Sequence, residues 1–184
     1  MIEIRWHGRG GQGAVTSVEM LALTAIEEGK FAQGFPSFGP ERRGAPVAAF
    51  NRIDEKRIRV RSGIYEPDVV VVLDPSLVGL VNVAEGLKPD GILIVNTTKS
   101  PEEIKGEMDF PGTVATVDAA TIAREELGVP ITNTTMLGAV MKATKLVKME
   151  SAENPLKERF GRLAPRNIKA MNRAYDELKI AKAA

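Results

Sequence analysis

The chain of 184 residues contains no cysteine and a single histidine, His7. Iron–sulfur clusters are held by several thiolates, so none can be ligated here in the usual way. A zinc site built from histidine and cysteine is excluded for the same reason. If the protein takes part in redox chemistry, the metal centres must sit on another chain. Long apolar runs are also missing: nothing approaches the roughly 20 residues needed to span a bilayer. The start, Met1-Ile2-Glu3-Ile4, lacks the basic region and apolar stretch of a secretory leader and reads as a core strand, so a cytoplasmic location is expected. Charge of one sign is not in excess. A net charge of +1 supplies no global field toward nucleic acid or membrane. What remains is ordinary globular composition, 43% hydrophobic and 27% charged, long enough to bury a core as one domain spanning residues 1–184.

Glycine, by contrast, is concentrated where it matters. Residues 8–13 read Gly-Arg-Gly-Gly-Gln-Gly, directly after an apolar strand candidate at 2–6 and before a helical pattern from Ala14. A loop without Cβ atoms turns sharply and lets a bound group come close. At the start of a helix it aims unpaired N–H groups at an anion, most often a phosphate. Gly8, Gly10 and Gly13 formally match G-x-G-x-x-G in the strand-to-helix context that gives the motif weight. A nicotinamide or flavin dinucleotide site also wants an acidic residue about 20 positions on, for the ribose. That region reads Phe31-Ala32-Gln33-Gly34-Phe35, without a carboxylate. The loop therefore points away from classical NAD binding. It stays open to another phosphate-bearing or anionic group, or to a tight turn that needs glycine only for packing.

Elsewhere strands alternate with helices. Apolar positions at three- and four-residue spacing predict a helix over 14–28, closed by Gly29 and Lys30. Residues 31–35 are a second strand candidate. The β-branched run at 69–73 has the character of a strand buried on both faces of a parallel sheet, and 92–95 and 113–117 repeat it. Helices are expected between them at 75–85, 101–107 and 119–127, and in the C-terminal third at 135–144 and 165–179, with fraying at 180–184. Alternation around Asp54-Glu55-Lys56 predicts an antiparallel hairpin at 45–62 on the sheet edge. The fold class expected is α/β: a doubly wound, mostly parallel, Rossmann-like sheet with that hairpin and a helical C-terminal segment.

Outside the glycine loop, several residues are candidates for chemistry. Arg42 and Arg43 lie in a breaker-rich segment, 34–44, and a guanidinium fork matches phosphate or carboxylate. They serve a ligand, a partner subunit or a solvated loop. Arg52, Arg57, Arg59 and Arg61 line one side of the expected hairpin without interleaved aromatics, which fits a solvated or interface face better than a nucleic-acid patch. His7 falls at the carboxyl end of the first strand, where open α/β sheets place ligands; a lone histidine is more often structural. Thr132, Asn133 and Thr134 precede a helix and offer groups for capping it or, facing the glycine loop, for a ligand. Asp74 and Asp118 at strand ends read as helix caps or acids. No Ser/His/Asp set assembles, so no catalytic residue is assigned.

Taken together, these segments resemble one family. The run Ile4-Arg5-Trp6-His7-Gly8-Arg9-Gly10-Gly11-Gln12-Gly13-Ala14 is similar to the start of the gamma subunit of pyruvate:ferredoxin oxidoreductase and related 2-oxoacid:ferredoxin oxidoreductases. So are 33–47, from Gln33 to Val47, then Pro67–Asp74, Gly91–Asn96, and Pro130-Ile131-Thr132-Asn133-Thr134 before Leu137-Gly138. The resemblance covers essentially the whole chain. It implies a complex that oxidatively decarboxylates a 2-oxoacid, releases an acyl-CoA and reduces ferredoxin. Thiamine diphosphate and 4Fe-4S clusters are expected on partner alpha, beta and delta subunits, and the lack of cysteine here agrees with that. For this chain the resemblance implies covering the active site and helping to bind coenzyme A (CoA) as co-substrate. Its candidate binding residues are Gly8, Arg9, Gly10, Gly11, Gln12, Gly13, Arg42, Arg43, Thr132, Asn133 and Thr134. Two other readings are a stand-alone nucleotide-binding α/β enzyme and a purely structural interaction subunit.

Overall fold

The computed structural model describes residues 1–37 and 43–183. Seven strands form one sheet: β1 (Ile2–Arg9), β2 (Phe31–Pro36), β3 (Pro46–Asp54), β4 (Val69–Val72), β5 (Ile92–Asn96), β6 (Thr113–Val117) and β7 (Lys179–Ala181). Their order is β2-β3-β1-β4-β5-β6-β7. The central four, β1, β4, β5 and β6, are parallel. The flanking pairs, β1 with β3, β3 with β2 and β6 with β7, are antiparallel.

Period-two patterning decides which faces are buried. In β1, Ile4 and Trp6 point into the larger core; in β4, Val69 and Val71 join them. Helices α1 (Ala14–Glu27), α3 (Ala119–Leu127), α4 (Asn133–Thr144) and α6 (Ala164–Glu177) cover that face, through residues such as Val18, Leu21, Ile122, Met136, Leu137 and Met171. Val70 and Val72 point the other way, into a second core with Leu77, Val83, Leu87 and, from α2 (Pro101–Met108), Ile104. The run of four valines is fully buried because it feeds both cores. At Gly138 of α4 an added Cβ would stand 1.9 Å from the Met171 carbonyl oxygen of α6, so only glycine permits this helix contact.

Where the structure departs from expectation, the causes are local. The antiparallel hairpin is built from β2 and β3 rather than within 45–62: β3 ends at Asp54, and the alternating residues 57–61 find no strand partner among the described residues. Residues 75–85 do not form an α-helix. A 3-10 turn at Pro75–Leu77 is followed by further turns, several of them i to i+3, among them Leu80 N–H to Leu77 and Leu87 N–H to Ala84. The chain end does not fray at 180: β7 adds to the sheet edge, with Ile180 opposite Ala115. Helix α5 (Glu153–Phe160) escaped the sequence reading; it is short and polar outside Pro155, Leu156 and Phe160, and proline is tolerated in its first turn. Among the described residues no helix is long and apolar enough to cross a membrane.

Candidate functional site

The carboxyl ends of the parallel strands gather the site. Strand β1 runs into Gly10–Gly13, and Gly13, at φ +83°, stands at the N-cap of α1. A Cβ there would approach the Asn133 side-chain nitrogen to 2.6 Å. Glycine is thus required twice, for the left-handed backbone and for the close approach of α4. Ser17 of α1 closes the contact, donating its hydroxyl to the Asn133 carbonyl at 3.2 Å.

The loop is held from three sides. The Gln12 side-chain oxygen accepts the Arg9 N–H at 2.7 Å, and its amide nitrogen donates to Asp74 Oδ2 at 2.7 Å. The Arg9 guanidinium lies 3.2 Å from Asp74 and donates to Ser76 Oγ at 2.8 Å and to the Gly44 carbonyl at 3.0 Å. Gly10 and Gly44 exchange backbone bonds with each other's segments: Gly10 N–H to Ala45 at 2.9 Å, Gly44 N–H to Gly10 at 3.0 Å. Burial opposes ionisation of Asp74. Hydrogen bonds from Ser76 and Gln12, with the charge of Arg9, outweigh it and hold the carboxyl below its ordinary value.

The candidates of the sequence reading fall as follows. Gly8, Arg9, Gly10, Gly11, Gln12 and Gly13 form the loop itself, and Asn133 touches it. Arg43 is exposed in the turn next to Gly44, so the Gly10–Gly44 bonds carry it to the loop. Arg42 lies outside the described residues. Thr132 is buried at the N-cap of α4 without a side-chain capping bond. The side chain of Asn133 instead caps locally, accepting the Thr134 N–H at 2.8 Å. Thr134 is turned to α6, donating to Asn167 Oδ1 at 2.6 Å. Next to it, Thr135 Oγ1 is buried without a hydrogen-bond partner among the described residues. A small cavity of about 210 Å³ beside Asn133 is walled by Leu127, Ile131, Phe160 and Leu163, with Arg166 and Asn167 as its polar members.

Of the loop's two anchors, Asp74 was left as cap or acid by sequence reasoning and Ser76 was missed. Asp74 caps the 3-10 turn, accepting the Ser76 N–H at 2.9 Å, and also receives Arg9 and Gln12. The Asp-Pro-Ser succession after a buried strand was the available signal. His7 is a structural histidine. Its Nε2 accepts from Arg5 Nε at 3.0 Å, and Arg5 goes on to the Val83 and Glu85 carbonyls at 3.0 and 2.5 Å. Burial and then the Arg5 charge lower its pKa to about 4, so the ring is neutral near pH 7.

Residues 3–177 match the model of the pyruvate ferredoxin/flavodoxin oxidoreductase family. The chain belongs to this family. It is 60% identical over 98% of both chains to the pyruvate/ketoisovalerate oxidoreductases common subunit gamma of Pyrococcus abyssi. To the pyruvate synthase subunit PorC of Methanocaldococcus jannaschii it is 51% identical over 97% of both chains. The crystal structure of pyruvate oxidoreductase subunit PORC from Thermotoga maritima superposes with a TM-score of 0.88, at 42% identity and 98% coverage of each chain. The gamma-type chain is therefore a subunit of a 2-oxoacid:ferredoxin oxidoreductase complex of the pyruvate synthase kind, and its α/β sheet is the architecture of that subunit.

Proposed function

We propose that this subunit covers the active site of the complex and helps to bind CoA there, with the glycine loop, Asn133 and Arg43 facing the co-substrate. The observation that carries the reading is the meeting of three distant segments at one corner: Gly13 against Asn133, and Gly10 bonded to the turn that presents Arg43. CoA carries a pyrophosphate and a ribose 3′-phosphate, so such a corner needs no acid after β2. The first N–H groups of α1, which have no intrahelical acceptor, suit the pyrophosphate. The Arg9 donors are committed to Asp74, Ser76 and Gly44. Its part is to hold the loop in shape; the exposed charge is Arg43, with Arg42 as its neighbour in the chain. Thiamine diphosphate and 4Fe-4S clusters belong to the alpha, beta and delta subunits in this reading, with ferredoxin as acceptor in the cytoplasm. This chain offers no thiolate to hold a cluster.

The test uses the assembled complex. Arg43→Ala is expected to raise the KM for CoA about tenfold or more, the loss of one charge-assisted hydrogen bond. Gly13→Ala is expected to raise it further, through strain of about 1–3 kcal/mol at a left-handed position and the push against Asn133. Pyruvate-dependent reduction of the clusters without CoA should persist in both. An unchanged KM for CoA in both variants would sink the proposal.

A further inference from the structure

Away from the glycine loop, the β2-β3-β1 half of the sheet has α1 on one face, and on the other no helix among the described residues packs against it. Register places Gln33 and Phe35 of β2, Phe50 and Arg52 of β3 and Glu3 of β1 on this open face. Arg52 is 1% exposed, and every direction of its guanidinium is used. Its Nε donates to Glu3 Oε1 at 2.6 Å, its Nη2 to the Ser62 and Gly63 carbonyls at 2.7 and 3.1 Å, and it lies 5.4 Å above the Phe35 ring. Arg52 thereby pins the irregular segment 55–66 back over the sheet.

Between that segment and β2 a cleft of about 720 Å³ opens, lined by Gln33, Phe35, Arg57, Arg59 and Arg61. The last three are exposed and have no carboxylate partner among the described residues. Three acids nearby are already taken: Glu3 by Arg52, Asp54 by the N-terminus at 3.3 Å, and Glu55 by Lys30 at 3.7 Å. At one end of the segment Tyr65, 78% exposed, packs beside Gly63. Along the other side runs β2, the outermost strand, with an outer edge unpaired among the described residues.

We infer that this cleft docks an extended acidic segment of a partner subunit, whose carboxylates pair with Arg57, Arg59 and Arg61. The inference rests on the reading that the chain works inside a complex. Three guanidinium groups at alternate positions cover up to roughly 14 Å of chain. That is too wide for one phosphate and fits carboxylates on one face of a strand, about 7 Å apart. Among the described residues no helix begins at the cleft, in contrast to the phosphate-type corner beside α1. Exposed arginine and tyrosine beside an open strand edge are the composition and geometry of a protein interface.

The experiment is reassembly of the complex from this subunit and the remaining subunits, followed by light scattering and native mass spectrometry. The triple variant Arg57→Gln, Arg59→Gln, Arg61→Gln is expected to bind the rest of the complex about tenfold or more weakly at roughly 0.1 M salt. The difference should shrink at high salt, and the corresponding triple lysine variant should keep most of the affinity. Circular dichroism establishes that both variants are folded. Unchanged association and an unchanged salt dependence in the folded glutamine variant would overturn the inference. So would normal assembly with a raised KM for CoA, which would assign the cleft to a small anion. If the wild-type chain itself failed to join any other subunit, the reading of the chain as part of a complex would fail instead.

Discussion

Two arginine sites sit at different ends of the same half-sheet, and they treat charge in opposite ways. At the glycine-loop corner, Arg9 spends its donors on Asp74, Ser76 and the Gly44 carbonyl, and the result is a fixed backbone. Arg52 does the same beneath the open face, and the result is a pinned segment. Arg57, Arg59, Arg61 and Arg43 are exposed and spend nothing of the kind within the described chain. Committed cations here build shape; uncommitted ones are what the shape presents. An arginine in the sequence does not announce which kind it is, because the difference lies in whether a carboxylate or carbonyl is brought to it.

The contrast can be broken most severely at Arg52. Arg52→Met should cost about 3–5 kcal/mol, because it leaves Glu3 unpaired and releases the Ser62 and Gly63 carbonyls from their donor. Denaturant unfolding of the isolated subunit would measure this, and proteolysis within 55–66 should quicken. A loss below about 1 kcal/mol would show that the pinned segment does not depend on Arg52.

A milder break is available through pH at the Arg5–His7 pair. The folded-state pKa of about 4 lies below the ordinary value of 6.5. Between those values the unfolded chain binds a proton that the folded chain does not. The contribution is therefore complete above about pH 6.5 and is lost as pH falls toward 4, by on the order of 3 kcal/mol. Melting temperatures of the wild type against His7→Gln across that window test it: the variant should lose this part of the acid sensitivity. Parallel curves for both proteins would mean that the ring titrates normally in the fold.

The smallest expected effect is the one that sharpens the comparison. The Arg57, Arg59, Arg61 triple glutamine variant and Arg43→Ala should each change the stability of the isolated subunit by less than about 0.5 kcal/mol, as exposed positions do. Thermal unfolding that moved by several degrees in either would show that these cations belong to the committed class.

Much of the architecture could be read from residue patterns because the causes are local. Helix α3 falls on 119–127 as expected, between an Asp118 cap and Gly128 in a left-handed turn. The valine run became β4 because only a strand between two cores buries every residue of such a run. Residues 57–61 show the limit: Arg-Ile-Arg-Val-Arg alternates as a strand does, but a strand also needs a partner edge, and Pro46–Asp54 is already paired on both sides. The short strand β7 was missed for the complementary reason. Its three residues carry little pattern, and the free edge of β6 supplies what they lack.

For the site, the residues themselves determined that a glycine-rich strand-to-helix turn stands at the carboxyl edge of a parallel sheet, that this chain has no thiolate to ligate an iron–sulfur cluster in the usual way, and which family it resembles. Those properties follow from atoms a residue has or lacks, such as a Cβ or a thiol. Only the tertiary structure decided that Arg9 is bound to Asp74 while Arg43 is exposed beside Gly44. It also decided that Asn133 closes the loop and that Arg52 lies under the segment carrying the other three arginines. The reason is physical: these charges take their roles from neighbours brought from 10 to 67 residues away in the chain, and the folded arrangement of strands and turns sets those neighbours.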